Sequence, residues 1–484
     1  MSVCKTMTSF VRAAYYAAIR RCRYYPGSVA EVDEGALRRW SERHLQCVWF
    51  DERLRPGDIT MADGESIKVL NPGEWNLEAG PDFKAATIVD GKGRELTGNI
   101  EIHVHPRDWD AHGHADNPLY KDIIAHVTYF SGKPPKTLPP EVIRIALAPL
   151  LQDDPSFSFD DIDTTAYPHA IIPATPRPCA RALGGDPDRA AMLFDAAGEF
   201  RIQAKALRLS ERIAEGSSSR QILYEEIMAA LGYKQNTGCF RKLAQVLPLS
   251  EWDEACDTTT AYGRLLGAAG LLPQPESVTD PALAPFIRRL WDAWWRNPVS
   301  EPLESTEWIT YSLRPQNHPI RRLAAAAVLF NGHHNIFDRL ANFPATPPQA
   351  WFRAAVLLFE EASKWPFWND RLTLSGPATP RAGALLGVNR IAAMVTNVVI
   401  PWLVSEGRFN LAALDFLAPE DISSPVRATA HHLLGRDHNP YAIYAGNGLR
   451  VQGILQIYAD FCLNARVDCE GCMLTTALLE ERNK

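Results

Sequence analysis

Residues 71–130 read NPGEWNLEAG PDFKAATIVD GKGRELTGNI EIHVHPRDWD AHGHADNPLY KDIIAHVTYF, and this stretch decides the fold. It combines the alternation expected of strands with the densest run of acidic, His and Trp residues in the chain. Lys84–Val89 reads as a strand closed by the Asp90-Gly91 turn signal. Leu96–His105 reads as a second strand. Its period of two puts Ile100, Ile102 and Val104 on one face and Asn99, Glu101, His103 and His105 on the other. A sheet face with four polar groups in a row is either solvated or a site. Residues 106–118 form a Pro-, Gly- and Asp-rich connection with room for one helical turn. Lys121–Phe130 is an apolar strand long enough to be central.

Outward from this stretch, Ser66–Leu70 alternates like a strand and ends at Asn71-Pro72-Gly73, and Glu141–Leu150 offers one more strand. A helix is expected over 34–49, where Leu37, Trp40, His44, Cys47 and Val48 recur at helical spacing, with Glu42 near its middle. Residues 9–24 read as a short helix ending in Arg20, Arg21 and Arg23, expected to be a solvated, loosely attached arm. Beyond residue 185 the strand signals stop. Helices are expected at 187–215, 219–232, 236–246, 258–270, 281–296, 319–331, 348–364, 388–405, 424–435 and 447–464, with the Trp291, Trp294 and Trp295 cluster in a core. The expected fold class is an α+β N-terminal domain followed by a large all-α domain. The divisions are an N-terminal arm (1–32), an α/β domain (33–152), a Pro-rich linker (153–184) and a helical domain (185–484) ending in a Cys cluster.

Bulk properties bound the function. At 484 residues the chain is too long for one ordinary core. A net charge of -7 provides no global basic field, so any nucleic-acid surface is a local patch. No run of 18 apolar residues is present, so no membrane span is expected. The N-terminus lacks a clear cleavage site, and nine Cys in this length do not resemble a disulfide framework; a reducing cytoplasm is the expected location. Walker-type, dinucleotide and Gly-x-Ser-x-Gly signatures are absent, which removes NTPase, dehydrogenase and esterase readings.

Three groups of residues carry candidate chemistry. Asp82 and Glu101, 19 residues apart on neighbouring strands, bring two carboxylates to one end of the sheet, as a Mg²⁺ or Mn²⁺ site requires. Glu42 could add a third carboxylate, and His103 could ligate, orient a water or transfer a proton. His112, His114 and Asp116 are expected at the rim of the same pocket with Glu74, Asn76, Glu78, His105 and Trp109. A His-x-His pair beside Asp can also bind Zn²⁺, so His103, His112 and His114 form an alternative ligand set. The second group is Cys462, Cys469 and Cys472, whose Cys-x2-Cys spacing suits Zn²⁺ or an iron–sulfur cluster, with Cys179 as the expected fourth ligand. The third is RPQNHPIRR, residues 314–322. There Arg314, Asn317, Arg321 and Arg322 suit a phosphate backbone, joined by Arg288, Arg289 and Arg296; the other reading has these arginines paired with Glu304 and Glu307.

Gly80–Phe83 (GPDF) followed by a strand carrying Glu101-Ile102-His103 resembles the PD-(D/E)XK nuclease superfamily. The resemblance implies a restriction-endonuclease-like mixed sheet, with Glu42, Asp82 and Glu101 as metal ligands. It departs at His103, which stands where that superfamily carries Lys, and in a shorter crossover. Across nearly the whole chain the sequence also resembles a bacterial family known as domain of unknown function 2851, through SERHLQCVW (41–49), Asn71–Ala86, GNIEIHVHPRDWDAHGHADNPLY (98–120), RPQNHPIRR (314–322), NRIAAMVTNVVIPWL (389–403) and the terminal cysteines. The expected function is metal-dependent hydrolysis of nucleic-acid phosphodiester bonds. The alternative is a non-catalytic nucleic-acid- or protein-binding factor that keeps a nuclease-like fold.

Overall fold

The computed structural model describes the chain apart from residues 1, 24–39, 41, 58, 62–64, 77–79, 165–166, 169–176, 253–255, 275–280, 311–312, 332–334, 344–345, 375, 377, 380–381, 420–421, 436, 463–471 and 483–484. It forms two compact units. The first comprises Met1–Gly198, Ile422–Ile443 and Gln452–Lys484; the second comprises Glu199–Asp421 and Tyr444–Val451. The segments Ile422–Ile443 and Gln452–Lys484 thus group with the part of the chain that carries the sheet.

The first unit is built on a seven-stranded mixed sheet: β1 (Ile59–Thr60), β2 (Ser66–Asn71), β3 (Glu74–Trp75), β4 (Phe83–Val89), β5 (Glu95–His103), β6 (Ile123–Thr128) and β7 (Ile143–Ala146). The order is β1-β2-β4-β5-β6-β7, with β3 added to β4. The first pairings are antiparallel, and β5-β6 and β6-β7 are parallel. Five of the seven strands fall where the alternation predicts them, the two-residue β1 and β3 being unexpected, and the expected α+β class with a following helical region holds.

The faces of β5 are covered by different parts of the chain. Ile100 and Ile102 pack with Phe83, Ile88 and Val127 and with Leu45, Val48 and Trp49 of the helix Glu42–Phe50. The residues between them, Glu101 and His103, are also buried. The crossover from β5 to β6 supplies a one-turn helix at Asp108–Ala111, and Trp109 packs with Ile123, Val142, Tyr120 and Leu138. Over Ile100–His103 both faces of the central strand are therefore covered, whereas Glu95–Asn99 remain exposed or half-buried. Glu42 opens its helix rather than lying in the middle, and 31–39 fall outside the described residues.

The N-terminal helix Ser2–Arg23 is not a loose arm. Val11, Ala14, Tyr15, Ala18 and Ile19 are buried. The helix packs on Met473–Arg482, Tyr15 donates its hydroxyl to Asp460 (3.1 Å), and Arg21 pairs with Glu480 at 2.8 Å. Its amphipathic face is matched by chain more than 400 residues away, which no local pattern reveals.

The second unit is helical, around a core that includes Tyr224, Ile227, Leu243, Tyr262, Leu323, Phe330 and Val395. Trp294 joins this core, whereas Trp295 is 67% exposed and stacks on Trp291. Val388–Ser405 is long and apolar enough to cross a membrane by length and composition, and 56% of that stretch is buried inside the protein. The core also holds an ion cluster: Glu226 accepts from Arg208 (2.9 Å), Arg212 (2.8 Å) and Arg241 (2.9 Å). Burial opposes ionisation of Glu226, but the three guanidiniums outweigh it and hold its pKa well below the usual carboxylate value.

Removing one member of such a cluster leaves uncompensated buried charge. Glu226→Gln is expected to cost about 3 kcal/mol in urea unfolding at pH 7. The folded pKa is depressed, so this contribution is complete above the unfolded value of about 4.3 and fades as pH falls below it. The gap between wild type and Glu226→Gln should shrink there; a gap independent of pH between 7 and 3 contradicts this account.

Candidate functional site

The site begins at a tight turn before β4. Gly80 takes φ +108°, and Asn76 ties the turn down: its side-chain amide donates to the Pro81 carbonyl (2.7 Å) and its backbone N–H to the Asp82 carbonyl (2.8 Å). Phe83 pairs with Ile100, which sets Asp82 beside Glu101 across the strands. Just beyond, the register slips between Phe83 and Ala86, with Ala85 at φ +53°. A bulge of this kind bends the strand and re-aims its end.

Asp82 is fully buried. Its Oδ1 accepts from Gln46 Nε2 (2.7 Å), its Oδ2 from the Ile102 N–H (2.8 Å), and its own N–H donates to Glu101 Oε2 (3.1 Å). Asp82 thus locks the helix Glu42–Phe50, β4 and β5 together. Glu101, 3% exposed, turns its other oxygen toward imidazoles: Oε1 lies 3.4 Å from His103 Nε2 and 3.3 Å from His114 Nε2.

His103 is the hub of a four-histidine cluster. Its Nε2 stands 3.0 Å from His112 Nδ1 and 3.2 Å from His114 Nε2, and its Nδ1 stands 2.8 Å from His126 Nε2. His126 arrives on β6, whose parallel register pairs it with Glu101. Rings close the remaining sides: Tyr120 stacks on His114 with centroids 4.0 Å apart, and Trp109 contacts His114, Tyr120 and His126. The Trp109 indole N–H is buried without an acceptor. His112 is the exposed member and opens the cluster to solvent.

The spacing is specific. Metal–nitrogen bonds of about 2.0–2.1 Å at tetrahedral angles place ligand atoms roughly 3.3 Å apart. The separations of His103 Nε2 from His112 Nδ1, His114 Nε2 and Glu101 Oε1, and of His114 Nε2 from Glu101 Oε1, lie near that value. Among the described residues, His103, His112 and His114 are the group of possible ligands whose donor atoms gather, all within 4.8 Å. Protonation suits the same chemistry. Burial, then the neighbouring imidazoles, pushes His103 well below its usual pKa. Burial first also brings His114 and His126 to about 4 and lowers His112. At neutral pH the rings are neutral and carry lone pairs. A neutral ring has one N–H; donating it from His103 Nδ1 to His126 leaves the Nε2 lone pair directed at the centre. Burial, then the charge of Glu42, raises Glu101 well above the usual carboxylate value, and the same pair of causes with Glu101 added raises Tyr120. A cation at the centre would reverse the pressure on Glu101.

Other expected site residues fall elsewhere. His105 lies past the end of β5, its ring stacked on Phe130 at 4.8 Å, and Glu74 is exposed on β3. Glu78 and the side chain of Asp116 lie outside the described residues, as does Cys469. With Cys469 outside the described residues, the expected set of Cys179, Cys462, Cys469 and Cys472 is not placed as a whole. Cys179 sits on the short helix Pro178–Leu183 packed against Ser424–Leu434, where its thiol faces the His432 carbonyl at 3.8 Å. Arg321 and Arg322 do not project from the surface: they are 0% and 3% exposed. Arg321 donates to the carbonyls of Trp368, Arg371, Ala382, Gly383 and Ala384, and Arg322 to Leu385 and to Asn317 Oδ1. They do not pair with Glu304 or Glu307 either; Glu304 and Glu307 form a capping box, and Glu307 takes Lys242. Arg314, Arg288, Arg289 and Arg296 remain exposed. Sequence reasoning missed His126, Tyr120 and Gln46. The available signal for His126 was one imidazole inside an otherwise apolar strand.

Because Asp82 satisfies two donors in a dry core, Asp82→Ala is expected to destabilise the fold by about 2–4 kcal/mol. Thermal unfolding of the full chain checks this, with Glu74→Ala, on the exposed edge, as the unchanged control. An unaltered melting temperature in Asp82→Ala would contradict the locking role.

No curated protein and no solved structure matches this chain. One family profile, described as "Protein of unknown function (DUF2851)", matches residues 42–413. The match includes Asp82, Glu101, the four clustered histidines and the RPQNHPIRR segment, and leaves out the N-terminal helix and the terminal cysteines. Since it spans most of the chain, the protein belongs to the DUF2851 family.

Proposed function

We propose that this protein is a metal-dependent hydrolase of nucleic-acid phosphodiester bonds, with its metal held by His103, His112 and His114. The observation that carries the reading is the gathering of three imidazole nitrogens within 4.8 Å of one another, with Glu101 Oε1 3.3–3.4 Å from two of them. Imidazole donors favour a transition metal of the Zn²⁺ class over Mg²⁺, which prefers an all-oxygen shell. The metal supplies Lewis acidity to a scissile phosphate.

Each residue has a stated part. His126 accepts from His103 Nδ1 and fixes that ring's tautomer and plane. Glu101, beside His103 and His114 and ionised once a cation is bound, would accept the proton of the attacking water. Asp82 positions β5 and does not touch substrate. The exposed His112 side admits the strand. Support for a phosphodiester substrate is the arrangement of a helix carrying Glu42, an antiparallel β2-β4-β5 meander and a parallel β6, which is similar to the PD-(D/E)XK plan.

A second reading has its own support. Four side-chain corners make a closed site of the structural kind, so the same centre would suit a non-catalytic binding factor stabilised by its metal.

Two measurements test the proposal. Metal analysis after dialysis is expected to find one equivalent of Zn²⁺, lost in His103→Ala and His114→Ala, weakened about 10–100-fold in His126→Ala, and unaffected in His105→Ala. Cleavage of labelled single- and double-stranded DNA and RNA should require Zn²⁺ or Mn²⁺, stop with EDTA, and fall about 10²–10⁴-fold in Glu101→Gln with metal still bound. Stoichiometric metal without cleavage of any substrate would favour the binding factor; no metal retention would sink both readings.

A further inference from the structure

The helical unit contains a second cluster, unrelated to the histidines. Tyr233 opens the helix Tyr233–Val246 with its backbone at φ +52°, a conformation non-glycine residues seldom adopt. Two guanidiniums lie over its ring: Arg390 at 3.5 Å from the centroid and Arg322 at 5.0 Å. Arg322 also donates to the Tyr233 hydroxyl (3.2 Å), Asn317 Oδ1 (2.7 Å) and the Leu385 carbonyl (2.8 Å). Arg390 donates to the Ala230 carbonyl. Arg321 is close enough to Arg322 for the two charges to oppose each other, and Arg322 opposes Arg390 likewise.

Three cations are thus gathered, and every partner they have is a carbonyl, an amide, a hydroxyl or a ring face. Such groups solvate a guanidinium but bring no negative charge. Among the described residues, no carboxylate pairs with Arg321, Arg322 or Arg390. The Nε–H groups of all three are buried without acceptors. Buried charge is ordinarily matched by opposite charge. Tyr233, Arg390 and Asn317 are half-buried, so the cluster reaches the surface and an ion from solvent can enter.

We propose that Tyr233, Arg322 and Arg390, with Asn317 at the edge, form a binding site for a phosphate group. Guanidinium forks match tetrahedral oxyanions in geometry and charge, and the strained backbone at Tyr233 holds the ring that spaces the two forks. Arg321 adds charge from behind while its own N–H groups hold the 368–385 segment. The phosphate could belong to a nucleic-acid strand or to a small phosphorylated molecule. The site stands whether or not the sheet unit is a hydrolase.

The test uses the full-length protein and isothermal titration with inorganic phosphate, at ionic strength held constant with chloride. Wild type should bind saturably. Arg390→Met should weaken binding by about tenfold or more, Arg390→Lys by less, and Arg314→Ala, exposed in the neighbouring segment, not at all. A short single-stranded oligonucleotide that competes with phosphate assigns the source to a strand; an adenine nucleotide that competes where the oligonucleotide does not assigns it to a small molecule. No saturable phosphate binding by wild type up to about 10 mM, or equal binding by folded Arg390→Met, overturns the proposal.

Discussion

His103 Nε2 stands 3.0–3.4 Å from His112 Nδ1, His114 Nε2 and Glu101 Oε1, and all but His112 of these four side chains are buried. Lone pairs facing each other at that distance repel unless a proton or a metal ion lies between them. Burial lowers the affinity of the rings for a second proton, which leaves each with one N–H and one lone pair available to a metal ion. The fold around the centre can be understood as what holds these donors together against that repulsion. Asp82 clamps two strands and a helix, His126 anchors the hub ring from behind, and Trp109 and Tyr120 seal the crossover over the top.

The same principle links the two units without any need to place one against the other. Each contains buried ionisable groups, and each resolves them differently. Glu226 is matched by three arginines, a neutralised cluster that serves stability. Arg321, Arg322 and Arg390 have only neutral partners among the described residues and retain net charge. The histidine centre lies between these cases: burial disfavours charge on its rings, and its grouped nitrogens suit a cation.

Much of this was legible from residues alone. Alternation in 96–105 placed Glu101 and His103 on one face, and the GPDF turn set Asp82 opposite them. His112 and His114 were expected at the rim or, with His103, as an alternative ligand set; in the structure they gather with His103, where the crossover folds back over the sheet. What stayed hidden depends on long-range pairing. His126 joins through a parallel register with β5, and parallel pairing leaves no local signature comparable to a hairpin turn. The RPQNHPIRR arginines read as surface charge because nothing nearby in sequence announces the carbonyls of 368–385 that surround them. The N-terminal helix looked unattached for the same reason: its partners lie at 460 and beyond.

The most direct measurement is X-ray absorption at the zinc edge of the full-length protein loaded with one equivalent of Zn²⁺. The account predicts an all-N/O shell at about 2.0–2.1 Å with the outer scattering of three imidazoles, reduced to two in His112→Ala. A shell containing sulfur at about 2.3 Å would put the metal at the cysteines, and a shell of oxygen alone would put it at the carboxylates. Either result would contradict the histidine centre.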